Sequence, residues 1–163
     1  MKQRVIVLLG ANLGNRMEAI QTALSELEST FGKPERVSSV YETASWGVEG
    51  QPDYLNCVAG YLTGFTADEV LKTLLTTEIK AGRIRKGNLY ESRIIDLDLL
   101  LYGNLVLNEP GLQVPHPRMT LRRFTMTPLS DIYPEIIHPE SNKTMAELLE
   151  ACTDQGRIKK YIQ

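Results

Sequence analysis

Cysteine is scarce in this chain: Cys57 and Cys152 are the only two. They make neither a disulfide framework nor a metal-ligand spacing, and they fit a reducing compartment. Cys57 lies in an apolar run and reads as an inert core thiol. No Ser/His/Asp or Cys/His arrangement stands out for nucleophilic catalysis. No Walker A sequence occurs. The glycines of 10–14 do not form a G-x-G-x-x-G fingerprint, so any nucleotide is held without a P-loop or a Rossmann turn. No apolar run approaches a transmembrane helix. The run at 5–9 is too short for a signal peptide and no cleavage site follows it, so the cytoplasm is the expected location. Charge of one sign is also lacking: 18 basic against 20 acidic residues give a net −2, which argues against a general nucleic-acid binder. Repeats, low-complexity segments and linkers are absent. At 163 residues the expectation is one domain, 1–163, that buries roughly 70% of its unfolded surface without a staple.

What is present centres on Arg93-Ile94-Ile95-Asp96-Leu97-Asp98-Leu99-Leu100-Leu101. Read as a strand, it places Asp96 and Asp98 on one face, and Ile95, Leu97 and Leu99 on the other. The two aspartate Cα atoms then lie about 7 Å apart. Carboxylates that close repel on a half-buried surface, and Mg²⁺ is commonly held by one or two carboxylates together with substrate phosphates. Upstream run Lys80, Arg83, Arg85, Lys86 and Arg93, and guanidinium forks suit phosphate oxygens. Together these point to a site for a polyphosphate and its Mg²⁺. Alone, the aspartates also fit a solvated strand face, and the basic run a solvated surface.

The rest of the chain supplies a frame. Residues 5–9 read as a buried strand, ended by Gly10. Met17, Ile20, Leu24, Leu27 and Phe31 recur at helical spacing before Gly32-Lys33-Pro34. Strands follow at 37–41 and 54–62. On the latter, Tyr54 and Asn56 share one face while Leu55, Cys57 and Ala59 share the other. Thr66 and Glu69 make a capping box that opens a helix. Its stripe carries Leu71, Leu74, Leu75 and Glu78, and Gly82 ends it. After the aspartate strand, Tyr102-Gly103-Asn104 turns the chain, and 105–107 reads as a short hairpin partner. From 115 to 130 there are three arginines and one histidine but no acidic residue. Thr144 and Glu147 form a second capping box before a last helix. The order β-α-β-β-α-β plus a C-terminal extension predicts an α+β, ferredoxin-like antiparallel sheet with helices on one face. The other face is then free to carry a site.

Other candidates are weaker on spacing alone. Glu78 reads as a site carboxylate or as a water-facing last turn. His116, near Arg118, Arg122 and Arg123, reads as a nucleotide donor or as a loop residue. Tyr54, Trp46 and Phe124 read as core, or as stacking surfaces for a flat heterocycle whose edge Asn56 recognises.

Five segments in order sharpen the reading: Leu9-Gly10-Ala11-Asn12-Leu13-Gly14-Asn15-Arg16, Gln51-Pro52-Asp53-Tyr54-Leu55-Asn56, Gly82-Arg83-Ile84-Arg85, Arg93-Ile94-Ile95-Asp96-Leu97-Asp98, and Val114-Pro115-His116-Pro117-Arg118-Met119. Together they resemble the hydroxymethyl-dihydropterin pyrophosphokinase family of the folate pathway, from residue 5 to about 139. The resemblance implies transfer of the terminal pyrophosphoryl group of ATP to the hydroxymethyl oxygen of a reduced pterin, with release of AMP. It implies two Mg²⁺ ions, ligated by Asp96 and Asp98, and Arg83 and Arg93 gripping the phosphates. Arg85, His116, Pro117, Arg122 and Leu99 stand at the nucleotide, with Glu78 beside it. Tyr54 and Phe124 sandwich the pterin, Asn56 bonds its edge, and Asp96 and Tyr90 adjoin it. Thr43, Ala44, Trp46 and Gly47 supply a loop over it, largely through backbone groups. ATP and the pterin are the expected partners, without nucleic acid or membrane, and the chain is expected to be a monomer.

The chain departs from the family pattern in places. Glu91-Ser92-Arg93 stands where Gly-Pro-Arg is frequent, Thr43-Ala44-Ser45-Trp46 lacks a proline, and Leu75 replaces a residue that is polar in some members. Loops 47–53 and 85–92 are expected to act as mobile lids. Two other readings stay open: a two-metal nucleotidyl transferase or cyclase attacking the α-phosphorus, and a ferredoxin-like module that binds a ligand without chemistry.

Overall fold

A computed structural model describes residues 1–44, 52–81 and 94–162. The expectations for Trp46, Gly47, Arg83, Arg85, Tyr90, Arg93 and Gly82 lie outside the described residues, as do those for loop 85–92 and all of loop 47–53 but Pro52 and Asp53. In chain order the elements are β1 (Gln3–Ala11), α1 (Arg16–Phe31), β2 (Arg36–Val37), β3 (Tyr41–Thr43), β4 (Tyr54–Thr63), α2 (Ala67–Lys80), β5 (Asp96–Tyr102), β6 (Leu107–Glu109), β7 (Leu112–Val114), α3 (Arg123–Ile132), α4 (Met145–Glu150) and β8 (Ile158–Lys160).

The main sheet is antiparallel, in the order β5-β1-β4-β3-β8, with β2 also paired to β4. β1 lies between β4 and β5, and its run Val5-Ile6-Val7-Leu8-Leu9 is buried on both faces. Val5, Val7 and Leu9 join Leu55, Cys57, Ala59, Leu97 and Leu99 under α1 and α2. Ile6 and Leu8 join Val58 under Met126 and Leu129 of α3 and Met145 of α4. The expectation of helices on one face is therefore corrected: α3 and α4 cover part of the second. An unbroken apolar strand at the sheet centre needs cover on both sides.

Local chemistry explains the boundaries. The Asn15 side chain accepts the Glu18 amide to start α1, and Gly32 closes it at φ 90°. The capping boxes at Thr66/Glu69 and Thr144/Glu147 both form. The strand expected at 37–41 is split, because the Ser38 hydroxyl accepts the Val58 amide at 2.9 Å in place of a ladder partner. The segment expected at 105–107 does not pair with β5. The chain leaves the sheet after Gly103, and β6 pairs with β7 as a separate hairpin turning at Gly111. α3 and β8 went unread in the sequence.

One cluster fastens α3 to the sheet. Tyr133, at the C-terminal end of α3, lays its ring over Gly60, where an added Cβ would meet its Cε2 at 2.6 Å and Cζ at 2.7 Å. Its hydroxyl donates to Glu35 Oε1 at 2.8 Å, and Arg4 Nε donates to the same carboxylate at 2.6 Å. That Arg4 bond holds the Glu35 carboxyl below its ordinary range. The guanidinium carbons of Arg4 and Arg36 lie 5.4 and 4.8 Å from the Tyr133 ring centroid, within cation–π reach. Further along, buried His138 organises the turn before α4: its Nδ1 accepts the amides of Glu140 and Ser141, each at 3.2 Å.

Two outcomes follow. Gly60→Ala should cost about 1–3 kcal/mol by overpacking, read as a lower urea midpoint at unchanged slope. Burial holds the His138 imidazole below its ordinary 6.5, so the folded chain binds that proton less readily than the unfolded one. Its contribution to stability is complete above about pH 6.5 and is lost as pH falls from there through the folded value. Urea titrations at stepped pH should show an acid-side loss that His138→Gln lacks.

Candidate functional site

The site is built on three adjacent strands. Gly10 pairs with Asn56 on one side and Asp96 on the other; two residues back, Leu8 pairs with Val58 and Asp98. Directly paired residues share a face, so Asn56, Asp96 and Asp98 lie on the face that α3 partly covers. Leu97 and Leu99 point to the opposite face, into the core beneath α1 and α2. The spacing argument for the aspartates thus matches their placement, and both are half-buried.

Gly10 keeps the row open: an added Cβ would lie 2.8 Å from Asn56 Oδ1 and 3.7 Å from Tyr54 Cδ1. Asn56 is only 3% exposed, and its amide is oriented, with Nδ2 donating to Thr43 Oγ1 at 2.8 Å. Tyr54 stands half-buried beside it. The Ala44 amide donates to the Arg157 carbonyl at 3.4 Å.

Beyond Asp98 opens a groove of about 440 Å³ between α2, β5, the β6–β7 hairpin and the 116–122 segment. Glu78, Leu99, His116, Pro117 and Arg122 line it, as expected, together with Arg118. The sequence reading missed Leu97, Gly111, Leu112 and Gln113 in this lining. It also placed Leu75 on the core stripe, whereas Leu75 is exposed and lines the groove with Leu71. The signal was available, since 71, 75 and 78 recur at i, i+4, i+7 on a line beside the core positions Val70, Leu74 and Thr77.

Glu78 is buried, and its Oε2 accepts the Leu97 amide at 2.9 Å. α2 is thereby tied to the start of β5. On the far side of the groove, the His116 amide donates to the Leu100 carbonyl at 2.9 Å. Its Nδ1 accepts the Arg118 amide at 3.2 Å, which leaves Nε2–H as the outward donor. Burial lowers the His116 pKa from 6.5, nearby Asp98 opposes the shift, and Arg122 and Arg118 add to it; the ring is neutral at pH 7. Burial likewise lowers the pKa of Arg122, against the raising effect of Asp98. The Arg122 guanidinium carbon lies 5.5 Å from the Phe124 centroid, so this side chain links the groove to an aromatic ring at the start of α3. Arg123 faces elsewhere, its guanidinium donating to the carbonyls of Asp154 and Cys152, each at 2.8 Å.

Chemically, the groove offers apolar walls, a neutral imidazole donor and arginines, with Asp98 in its lining and Asp96 two residues back along the strand. Among the described residues no group of three or more His, Cys, Asp or Glu is arranged for a metal. The aspartate pair with phosphate oxygens is the donor set that hard Mg²⁺ accepts, since that ion keeps few protein ligands.

A family model described as 7,8-dihydro-6-hydroxymethylpterin-pyrophosphokinase (HPPK) matches residues 6–134. The chain is 39% identical over 146 residues to the 2-amino-4-hydroxy-6-hydroxymethyldihydropteridine pyrophosphokinase of Synechocystis sp., covering 89% of this chain and 74% of that protein. It is 38% identical over 160 residues to the protein of the same name from Pseudomonas aeruginosa, covering 96% of each. A crystal structure of Plasmodium falciparum HPPK-DHPS superposes with a TM-score of 0.74 at 14% identity, covering 93% of this chain but only 45% of that one; this last likeness bears on the fold alone.

Glu78→Ala should leave the buried Leu97 amide unpaired, at a cost of about 1–3 kcal/mol. Amide exchange at Leu97 should accelerate more than at Val5 or Val7 in the sheet centre.

Proposed function

The chain belongs to the 7,8-dihydro-6-hydroxymethylpterin-pyrophosphokinase family, and from that premise we infer that the groove beside β5 takes ATP and the Asn56–Gly10–Asp96 row takes the pterin. The enzyme transfers pyrophosphate from ATP to the hydroxymethyl group of 6-hydroxymethyl-7,8-dihydropterin in folate synthesis. The observation that carries the assignment is the position of the two aspartates, at the meeting of the apolar-walled groove and the polar row.

On this reading the chain's residues divide the work. Leu71 and Leu75 bound the base end of the groove. Nε2–H of His116 donates to the nucleotide, and Arg122 neutralises phosphate charge, a task shared with Arg83, Arg85 and Arg93 by family resemblance. Glu78 and Leu99 complete the wall. Asp96 and Asp98 would hold two Mg²⁺ ions, which bound there would supply Lewis-acid neutralisation of phosphate charge. Tyr54 and Phe124 take the faces of the pterin, and the oriented amide of Asn56 reads its edge. Thr43 acts through that amide. The hydroxymethyl oxygen bonds to the β-phosphorus and gives its proton to solvent, and the bond from that phosphorus to the α–β bridging oxygen breaks, so AMP leaves with that oxygen. Positioning and electrostatics supply the rate, without a covalent intermediate.

The same reading takes the core as ferredoxin-like, supported by the order β5-β1-β4-β3 with α1 and α2 on one face. It takes the chain as one pyrophosphokinase domain, monomeric and cytoplasmic. No helix among the described residues is long and apolar enough to cross a membrane.

Chromatography after incubation with MgATP and hydroxymethyl-dihydropterin should show AMP and the pterin pyrophosphate, dependent on Mg²⁺ and on the pterin. ADP or free pyrophosphate as product would overturn the assignment. Asp98→Ala should lower kcat roughly a thousandfold or more, whereas a ligand-binding module would tolerate the change.

A further inference from the structure

The C-terminal segment 152–161 lies beyond the residues matched by the family model, yet it touches α3, β3 and the residue just before β4, three places that flank candidate pterin contacts. At the start of α3, one residue before Phe124, the Arg123 amide donates to Asp154 Oδ2 at 3.0 Å, and its side chain donates to the Asp154 and Cys152 carbonyls. Asp154 therefore caps a helix whose N-cap residue, Arg122, provides no side-chain cap of its own. Three residues on, Arg157 spans two strand ends. Its carbonyl accepts the Ala44 amide at 3.4 Å, just past β3, and its guanidinium donates to Asp53 Oδ2 at 2.7 Å, just before β4. β8 then pairs with β3 along Thr43↔Ile158 to Tyr41↔Lys160.

Arg16 closes the arrangement from the other side. Its guanidinium meets Glu42 Oε2 at 2.8 Å and the Asp53 carbonyl at 2.9 Å, and lies 5.7 Å from the Tyr161 ring. Lys159 adds a contact to Glu42 at 3.6 Å. One ten-residue stretch is thus bonded to the flanks of Phe124, Thr43 and Tyr54.

We propose that segment 152–161 is a positioning element that sets the spacing of α3, β3 and β4 around the pterin, with Arg157 as its central residue. This rests on the pterin assignment made above. The contacts given above go to residues that do not line the nucleotide groove, so the effect is expected on one substrate. Each exposed ion pair is weak, but a shift of one flank displaces a stacking ring or the Asn56 amide, and positioning errors of that kind are felt in affinity and rate.

The test uses Arg157→Ala, Arg157→Lys and a chain ending at Gly156. Arg157 is mostly exposed, so the point variants keep the fold. Arg157→Ala should raise KM for the pterin about two- to fivefold, leave KM for ATP unchanged, and be rescued by Arg157→Lys. The shortened chain should show a larger rise, still confined to the pterin. Equal changes in both KM values, or none in the pterin's, would overturn the proposal. Amide exchange gives a readout independent of the substrate assignment: the Ala44 amide should exchange faster in the shortened chain and the Leu97 amide should not. If the wild-type enzyme made no AMP while Ala44 still responded, the function reading would fail and the positioning role would stand as a structural one. An unresponsive Ala44 would sink the role itself.

Discussion

The bond from the Leu97 amide to the buried carboxylate of Glu78 sets where β5 begins, and the whole site follows from that register. A slip of one residue would exchange the faces of the strand. Asp96 and Asp98 would then enter the core beneath α1 and α2, and Leu97 and Leu99 would take their places on the face shared with Asn56. Burying two carboxylates without partners is far costlier than any loop contact recovers, so the alternation and the Glu78 bond enforce the same answer. β1 contributes from the other edge: Leu8 and Gly10 pair opposite the two aspartates, one filling the adjoining core and the other leaving space.

The second face of the sheet is divided between structure and chemistry. At one end Ile6, Leu8 and Val58 meet α3 and α4, and the Tyr133 ring over Gly60 sets how closely α3 approaches. At the other end the strands carry Asn56, Gly10 and Asp96, which offer α3 nothing apolar. Tyr41 bridges the two regimes. Its hydroxyl donates to Asp131 of α3, and burial pushes its pKa up to about 12, so it remains a donor at any working pH. α3 is thereby held at Tyr41 and Tyr133, while Arg122 at its N-cap reaches the groove and Phe124 packs against the apolar cluster.

Much of this was legible in the sequence where a pattern had a single physical reading. The period of two in Asp96-Leu97-Asp98-Leu99, the capping boxes and the apolar run of β1 all led to the observed elements. Other features depended on partners distant in sequence. α3 was hidden because Pro128 and a basic surrounding masked the stripe of Met126, Leu129 and Tyr133. β8 is a three-residue strand whose existence rests on pairing with β3. Glu78 looked ambiguous because its partner is a backbone amide 19 residues away, which no side-chain pattern reveals. Arg123 stands beside Arg118 and Arg122 in the basic stretch of the sequence, and only the fold shows it turned toward Cys152 and Asp154. Gly10 was read as the end of a strand; its role between Asn56 and Asp96 needs the register of three strands at once.

The electrostatics of the groove show a site prepared for an anion. Arg122 is partly desolvated, so its charge is held at a cost that Asp98 offsets only in part, while Arg118 adds repulsion. A guanidinium does not shed its proton to relieve this. His116 yields instead: burial and the two arginines keep it neutral, so it presents an N–H without adding a third positive charge. The imbalance was accepted during folding, and on the function proposed above a polyphosphate entering the groove would relieve it. Preorganised charge of this kind is strongest where water is excluded, and Arg122 lies against the Phe124 ring. The aspartates set the limit on that attraction. On the function proposed above, without a cation they would repel the same phosphates that Arg122 draws in, so the site would favour a nucleotide that arrives with its metal over the bare anion.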